Sequence, residues 1–145
     1  MLMKDITLSG PQARLQIRLL RLGEDQRGVP TDPEFEISAT SGTFSGSNSS
    51  VHVWRPDWDT FLAAFERLEA SRSGEAAVAG MSPGEFELRI AAVDRLGHLA
   101  AMGHVSGHVL SHRLRPIASH VAFEIELEPS SLPELLASFR TLISS

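Results

Sequence analysis

Four histidines, His98, His104, His108 and His112, crowd one short stretch of the chain, and the last three are spaced by four. On a helix, a four-residue step would bring two imidazoles to one metal ion. This stretch does not read as a helix, because Gly103 and Gly107 interrupt it and the β-branched Val105 and Val109 suit a strand. On a strand the even numbering sets all four histidines on one face, with Leu99, Ala101, Val105 and Val109 on the other. Residues four apart on a strand lie roughly 13 Å apart, at about 3.3 Å per residue, so His104 and His108 do not share a metal in line.

Cross-strand pairing is what remains, and the turns set its expected register. A tight turn at Asp94-Arg95-Leu96-Gly97 pairs Ile90 with Ala101 and Phe86 with Val105, and sets Glu87 beside His104. A second hairpin centred near Pro116 pairs Val109 with Phe123 and Val105 with Leu127. His108 then falls beside Glu124, His104 beside Glu128 and His112 beside His120. Cross-strand neighbours sit about 5 Å apart, so this face is expected to carry a ladder of His/Glu pairs. Three readings of it stay open: a solvated sheet face with weak pairing, a protein-binding face sensitive to mild acid, or a metal site. The metal version would join His104 to Glu87 and Glu128, or His108 to Glu124. The reading carried forward takes His104, His108, His112, Glu87, Glu124, Glu126 and Glu128 as a protein-binding face, with no catalytic residue, metal or cofactor.

Other chemistry fares less well. The chain has no cysteine, which excludes disulfides, thiolate zinc sites and a cysteine nucleophile. Serine is abundant, yet no Gly-x-Ser-x-Gly elbow occurs. Gly42-Thr43-Phe44-Ser45-Gly46-Ser47 lacks the lysine and spacing of a phosphate loop. Glu66 and Glu69 read as solvated helix charges, and Asp94 as a turn residue.

These residues need elements to hold them. Ala13, Leu15, Ile17 and Leu19 alternate with polar neighbours as a strand does, and so do Phe35, Ile37 and Ala39. Ser38–Ser50 reads as a bulged or flexible hairpin loop before a short strand at Ser50–Trp54. Asp57 then caps a helix, Asp57–Ala70, whose apolar residues Trp58, Phe61, Leu62, Phe65 and Leu68 fall at helical spacing. Ser71–Gly84 reads as a connector. Strands follow at Phe86–Val93, His98–His112 and His120–Leu127. The last helix, Ser131–Ile143, opens with a Ser131/Glu134 capping box and Pro133 in its first turn.

The expected architecture is a single α+β domain over residues 1–145, with residues 1–8 allowed as a flexible N-terminus. Its mainly antiparallel sheet has about six strands, and both helices pack on one face while the other stays partly open. A length of 145 residues with 42% hydrophobic and 21% charged residues suits one folded core. The net charge of −5, without a Lys/Arg cluster, argues against nucleic acid. Neither a signal peptide nor an apolar run of membrane-spanning length is visible, which places the chain in the cytoplasm and off the membrane.

Taken in order, Leu8-Ser9-Gly10, the helix from Trp58, the Arg95-Leu96-Gly97-His98 turn and the Leu127-Glu128-Pro129-Ser130-Ser131-Leu132 start of the last helix resemble the WapI-type immunity proteins and related bacterial proteins of unknown function. The resemblance spans about Leu8 to Ile143. Asp32-Pro33-Glu34-Phe35 and the histidine-rich strand depart from the family pattern. The resemblance implies a non-enzymatic cytoplasmic protein that binds and neutralises a polymorphic toxin, and it maps no functional residue onto this chain. The alternative class is a self-associating module, such as a homodimer, or a small-ligand-binding module with a pocket near Ser38–Ser50.

Overall fold

The computed structural model describes residues 4–110 and 116–144. Its elements follow the chain as β1 (Asp5–Ser9), β2 (Ala13–Glu24), β3 (Pro30–Ser41), β4 (Phe44–His52), α1 (Arg55–Ser71), β5 (Glu75–Ala79), β6 (Phe86–Ala92), β7 (Leu99–Leu110), β8 (Pro116–Leu127) and α2 (Leu132–Leu142). The class is α+β, but the strands make two antiparallel sheets, in the orders β1-β2-β3-β4 and β5-β6-β7-β8, where one sheet of about six strands was expected. Helix α1 is the divide. The chain leaves the first sheet at β4, crosses in α1 and opens a new sheet at the edge strand β5, so among the described residues no ladder runs from one sheet to the other.

Two strands lie where the sequence suggested none. β1 occupies part of the expected flexible N-terminus, and β5 lies within the Ser71–Gly84 connector. Each is five residues long and turns only two residues inward, Ile6 and Leu8 or Ala76 and Val78, too few for a period to stand out. The Ser38–Ser50 segment is a correction of another kind. It is a hairpin in which β3 and β4 pair from Glu34 with His52 to Ser41 with Phe44, around a turn with Gly42 at φ 61°. Its glycine content has a packing reason, because a Cβ on Gly46 would lie 2.9 Å from Val121 Cγ2 of the opposite sheet.

Both sheets bury their inner faces in one cluster, with Leu15, Ile17, Phe35 and Ile37 from the first and Leu88, Ile90, Phe123 and Ile125 from the second. β8 passes across the first sheet, from β4, where Val121 meets Gly46, to the β1–β2 turn, where Ile125 meets Gly10. α1 packs on β5 and β3, and α2 on α1 and β1. Trp58 ties them together, with ring centroids 5.0 Å from Phe35 and 6.0 Å from Phe139. Glu66, expected to be merely solvated, pairs with Arg140 across the helices at 2.9 Å. The expectation of helices on one face of a half-open sheet is therefore replaced: each sheet covers the other's inner face, and the outer faces meet solvent.

Neither expected cap forms. The first amide of α1, Arg55 N–H, donates to Asp32 Oδ1 at 2.7 Å, so the cap comes from β3, while Asp57 sits in the first turn beside the helix's positive end. At α2, Ser131 Oγ donates back to the Glu128 carbonyl at 2.7 Å, and a 3-10 turn over Pro129–Ser131 takes the place of the capping box.

Candidate binding site

The β6–β7 hairpin has the register its turn predicts: Phe86 faces Val105, Glu87 faces His104 and Ile90 faces Ala101. Asp94 makes the turn, accepting Leu96 N–H at 2.8 Å and His98 N–H at 3.2 Å on one carboxylate oxygen, with Gly97 at φ 85°. Gly103 seals the pairing, since a Cβ there would stand 1.9 Å from the Glu87 carbonyl oxygen.

The β7–β8 hairpin does not have the predicted register. Val105 faces Val121 and not Leu127, His104 faces Ala122 and not Glu128, and His108 faces Ala118 and not Glu124. Pairing continues to Leu110 with Pro116, so Pro116 lies within a strand and does not centre the turn. The displacement is an even number of residues, which leaves every side chain on its original face; apolar-with-apolar matching accepts both registers equally. Of the expected His/Glu ladder at His104, the Glu87 side is therefore present and the Glu128 side is not. The His108 side chain and His112 lie outside the described residues.

His104 instead stacks on His120, with ring centroids 4.8 Å apart. Its Nε2 faces the Gly84 carbonyl at 3.2 Å and must donate there. Ser106 Oγ gives its single proton to the same carbonyl at 2.9 Å, so in its 3.2 Å contact His120 Nδ1 is the donor and Ser106 the acceptor. This arrangement orders a turn and does not activate the serine, which is only 6% exposed. Next to it, Asn48 Nδ2 donates to Glu85 Oε1 and to the Ser106 carbonyl, both at 2.8 Å, and Asn48 Oδ1 accepts Ser50 N–H at 3.0 Å. The amide bridges β4 to β7 where no backbone ladder joins them. A groove of about 820 Å³ lies along this seam, with Phe44, Asn48, Glu85 and His120 among its walls. Asn48, Ser106 and His120 sit on three strands with no motif spacing, and the only sequence signal was their placement near the Ser38–Ser50 segment and the histidine-rich strand.

The acidic half of the expected face is present in another form. Glu124, Glu126 and Glu128 are exposed at alternate positions along and just beyond β8. Among the described residues none of the three has an ion-pair partner, whereas Glu87 pairs with Arg89 at 3.5 Å. His98 bonds Asp94 through Nδ1, and this contact, with Glu126 adding to it, holds the imidazole pKa above its ordinary value while that of Asp94 is lowered. On the other sheet Glu34 accepts Ser50 Oγ at 2.6 Å and stands near His52 and Arg21, a set that lowers its pKa, chiefly through the serine. Among the described residues, no three His, Asp or Glu side chains are placed to hold a metal ion, and no helix is long and apolar enough to cross a membrane.

No family model, curated protein or solved structure matches this chain.

Proposed function

We propose that this chain is a non-enzymatic binding protein, like the cytoplasmic WapI-type immunity proteins it resembles, and that it neutralises a toxin-domain partner by capturing it on the outer face of the second sheet. One observation carries the reading: Glu124, Glu126 and Glu128 stand exposed along and just beyond an edge strand of a sheet whose other face is buried, with no ion-pair partner among the described residues. Unpaired carboxylates on a fixed strand offer charge complementarity and steering to a basic partner. The test is capture from the native lysate on the tagged protein, with mass spectrometry and the solution mass. A stoichiometric toxin-domain protein, lost when Glu124 and Glu128 are both changed to lysine, is the expected result. Unchanged capture by that variant sinks the face, and recovery of the protein alone sinks the partner and leaves self-association.

A second reading has its own observation. The 820 Å³ groove at the β4–β7 seam falls within the roughly 300–1,000 Å³ range of small-molecule sites, and its polar walls are already fixed by the Asn48 bridge. A fragment screen by amide NMR would favour this reading through saturable shifts confined to Phe44–Ser49, Glu85 and His120.

A further inference from the structure

We infer that the occupant of the acidic face is an extended, basic polypeptide segment lying along the free edge of β8; this rests on the binding-protein reading above and names the kind of partner and its docking mode. β8 is the last strand of the order β5-β6-β7-β8, so among the described residues one of its edges carries amide and carbonyl groups with no strand beside them. Two recesses flank that strand. One, of about 420 Å³, is walled by Glu124, Glu126 and Asp94 together with the Gly10–Gln12 turn. The other, of about 270 Å³, is walled by Glu126, Glu128 and Glu134 together with Thr7–Ser9 of β1. Glu126 belongs to both, so the recesses form one acidic track along β8. Among the described residues lining it, His98 is the single titratable cation, and Asp94 already holds it.

The track has the geometry of an added strand. Glu124, Glu126 and Glu128 point the same way at steps of roughly 6.6 Å, the side-chain repeat of an extended chain. A segment with arginine or lysine at every second position would set its cations against them while its backbone pairs with the edge. At the end of the track near Asp94, Val93 is 50% and Leu96 83% exposed, an apolar contact for an aliphatic residue of the segment. A second copy of this chain fits worse, because pairing β8 with β8 would bring carboxylate rows against each other.

The probe is the peptide acetyl-Arg-Val-Arg-Val-Arg-Val-Arg-amide, titrated against the whole protein by amide NMR and calorimetry. Saturable shifts at Glu124–Glu128 are expected, with binding at least roughly tenfold weaker for Glu126→Lys and unaltered for Glu24→Lys, which is remote and exposed. A peptide N-methylated at alternate backbone nitrogens keeps the charge, removes the amide donors along one edge and sets methyl groups in the way of strand pairing there. It should also bind at least roughly tenfold less tightly, and equal binding would overturn strand addition. Absence of saturable binding, or binding indifferent to Glu126→Lys, overturns the inference. If the peptide fails while a lysate partner is still captured through Glu124 and Glu128, only the edge-docking inference falls. If the peptide binds as expected and no lysate partner appears, edge recognition stands and the toxin reading falls.

Discussion

Asp94, Asn48 and Trp58 show how much single side chains carry here, in three different ways. Asp94 bonds the backbone of its turn and the His98 ring, raising the pKa of the histidine and lowering its own. The histidine's contribution is complete below its unfolded value near 6.5 and is lost as pH rises through its higher folded value; the aspartate's is present above about 3.8 and is lost as pH falls through its lower folded value. The contact is therefore strongest in mild acid, between those limits. Asp94→Asn should return the His98 titration toward 6.5 by NMR, and an unmoved midpoint would refute the pairing. Asn48→Ala leaves the Glu85 carboxylate and the Ser106 carbonyl without their donor, and urea unfolding should show a loss of about 1–3 kcal/mol. Trp58 is fully buried, yet its indole N–H has no partner among the described residues. Trp58→Phe removes that orphan donor along with some volume, so its cost should stay well below the roughly 3–5 kcal/mol of a large-to-alanine core change.

At the scale of elements, the two hairpins of the second sheet differ in what specifies them. The β6–β7 register was legible from the Asp94–Gly97 turn, and in the structure the close approach at Gly103 demands the same alignment. Gly103→Ala should cost about 3 kcal/mol or more, lowering the melting temperature by roughly 6–12 °C, since its methyl meets backbone that cannot swing away. Gly107→Ala, whose methyl would meet only ordinary contact at 3.6 Å from the Ser47 carbonyl oxygen, should change it little. The β7–β8 register was not legible. Its apolar positions repeat every second residue, and a shift of any even number preserves that match; the long pairing from Leu99 with Leu127 to Leu110 with Pro116 wins by making more ladder. The expected site inherited this error. Glu87 beside His104 was right, while the partners assigned across β8 were wrong.

For the whole molecule, stability and site depend on two sheets meeting at close quarters with two helices beside them. Phe139 lies 5.3 Å from Phe61 and 6.0 Å from Trp58, ring centroid to ring centroid, and is fully buried between the helices. Phe139→Ala should therefore cost about 3–5 kcal/mol in a single cooperative denaturation followed by circular dichroism. A loss below about 1 kcal/mol would show that α2 is not part of the shared core. The same packing frees the outer face of the second sheet, because both inner faces are already spent on each other.

The sequence by itself determined the local features whose causes are local: the alternating strands β2 and β3, the stripe of α1, the turn at Asp94, the α+β class and the exposure of the β8 glutamates. These follow from side-chain period and turn chemistry within a few residues of one another. Only the tertiary structure decided that there are two sheets, that a Ser/Gly-rich stretch is the strand β4, and that Asn48, Ser106 and His120 meet at one seam. Those outcomes turn on how closely distant backbones can approach, as at Gly46 against Val121, and no pattern within a single segment carries that distance.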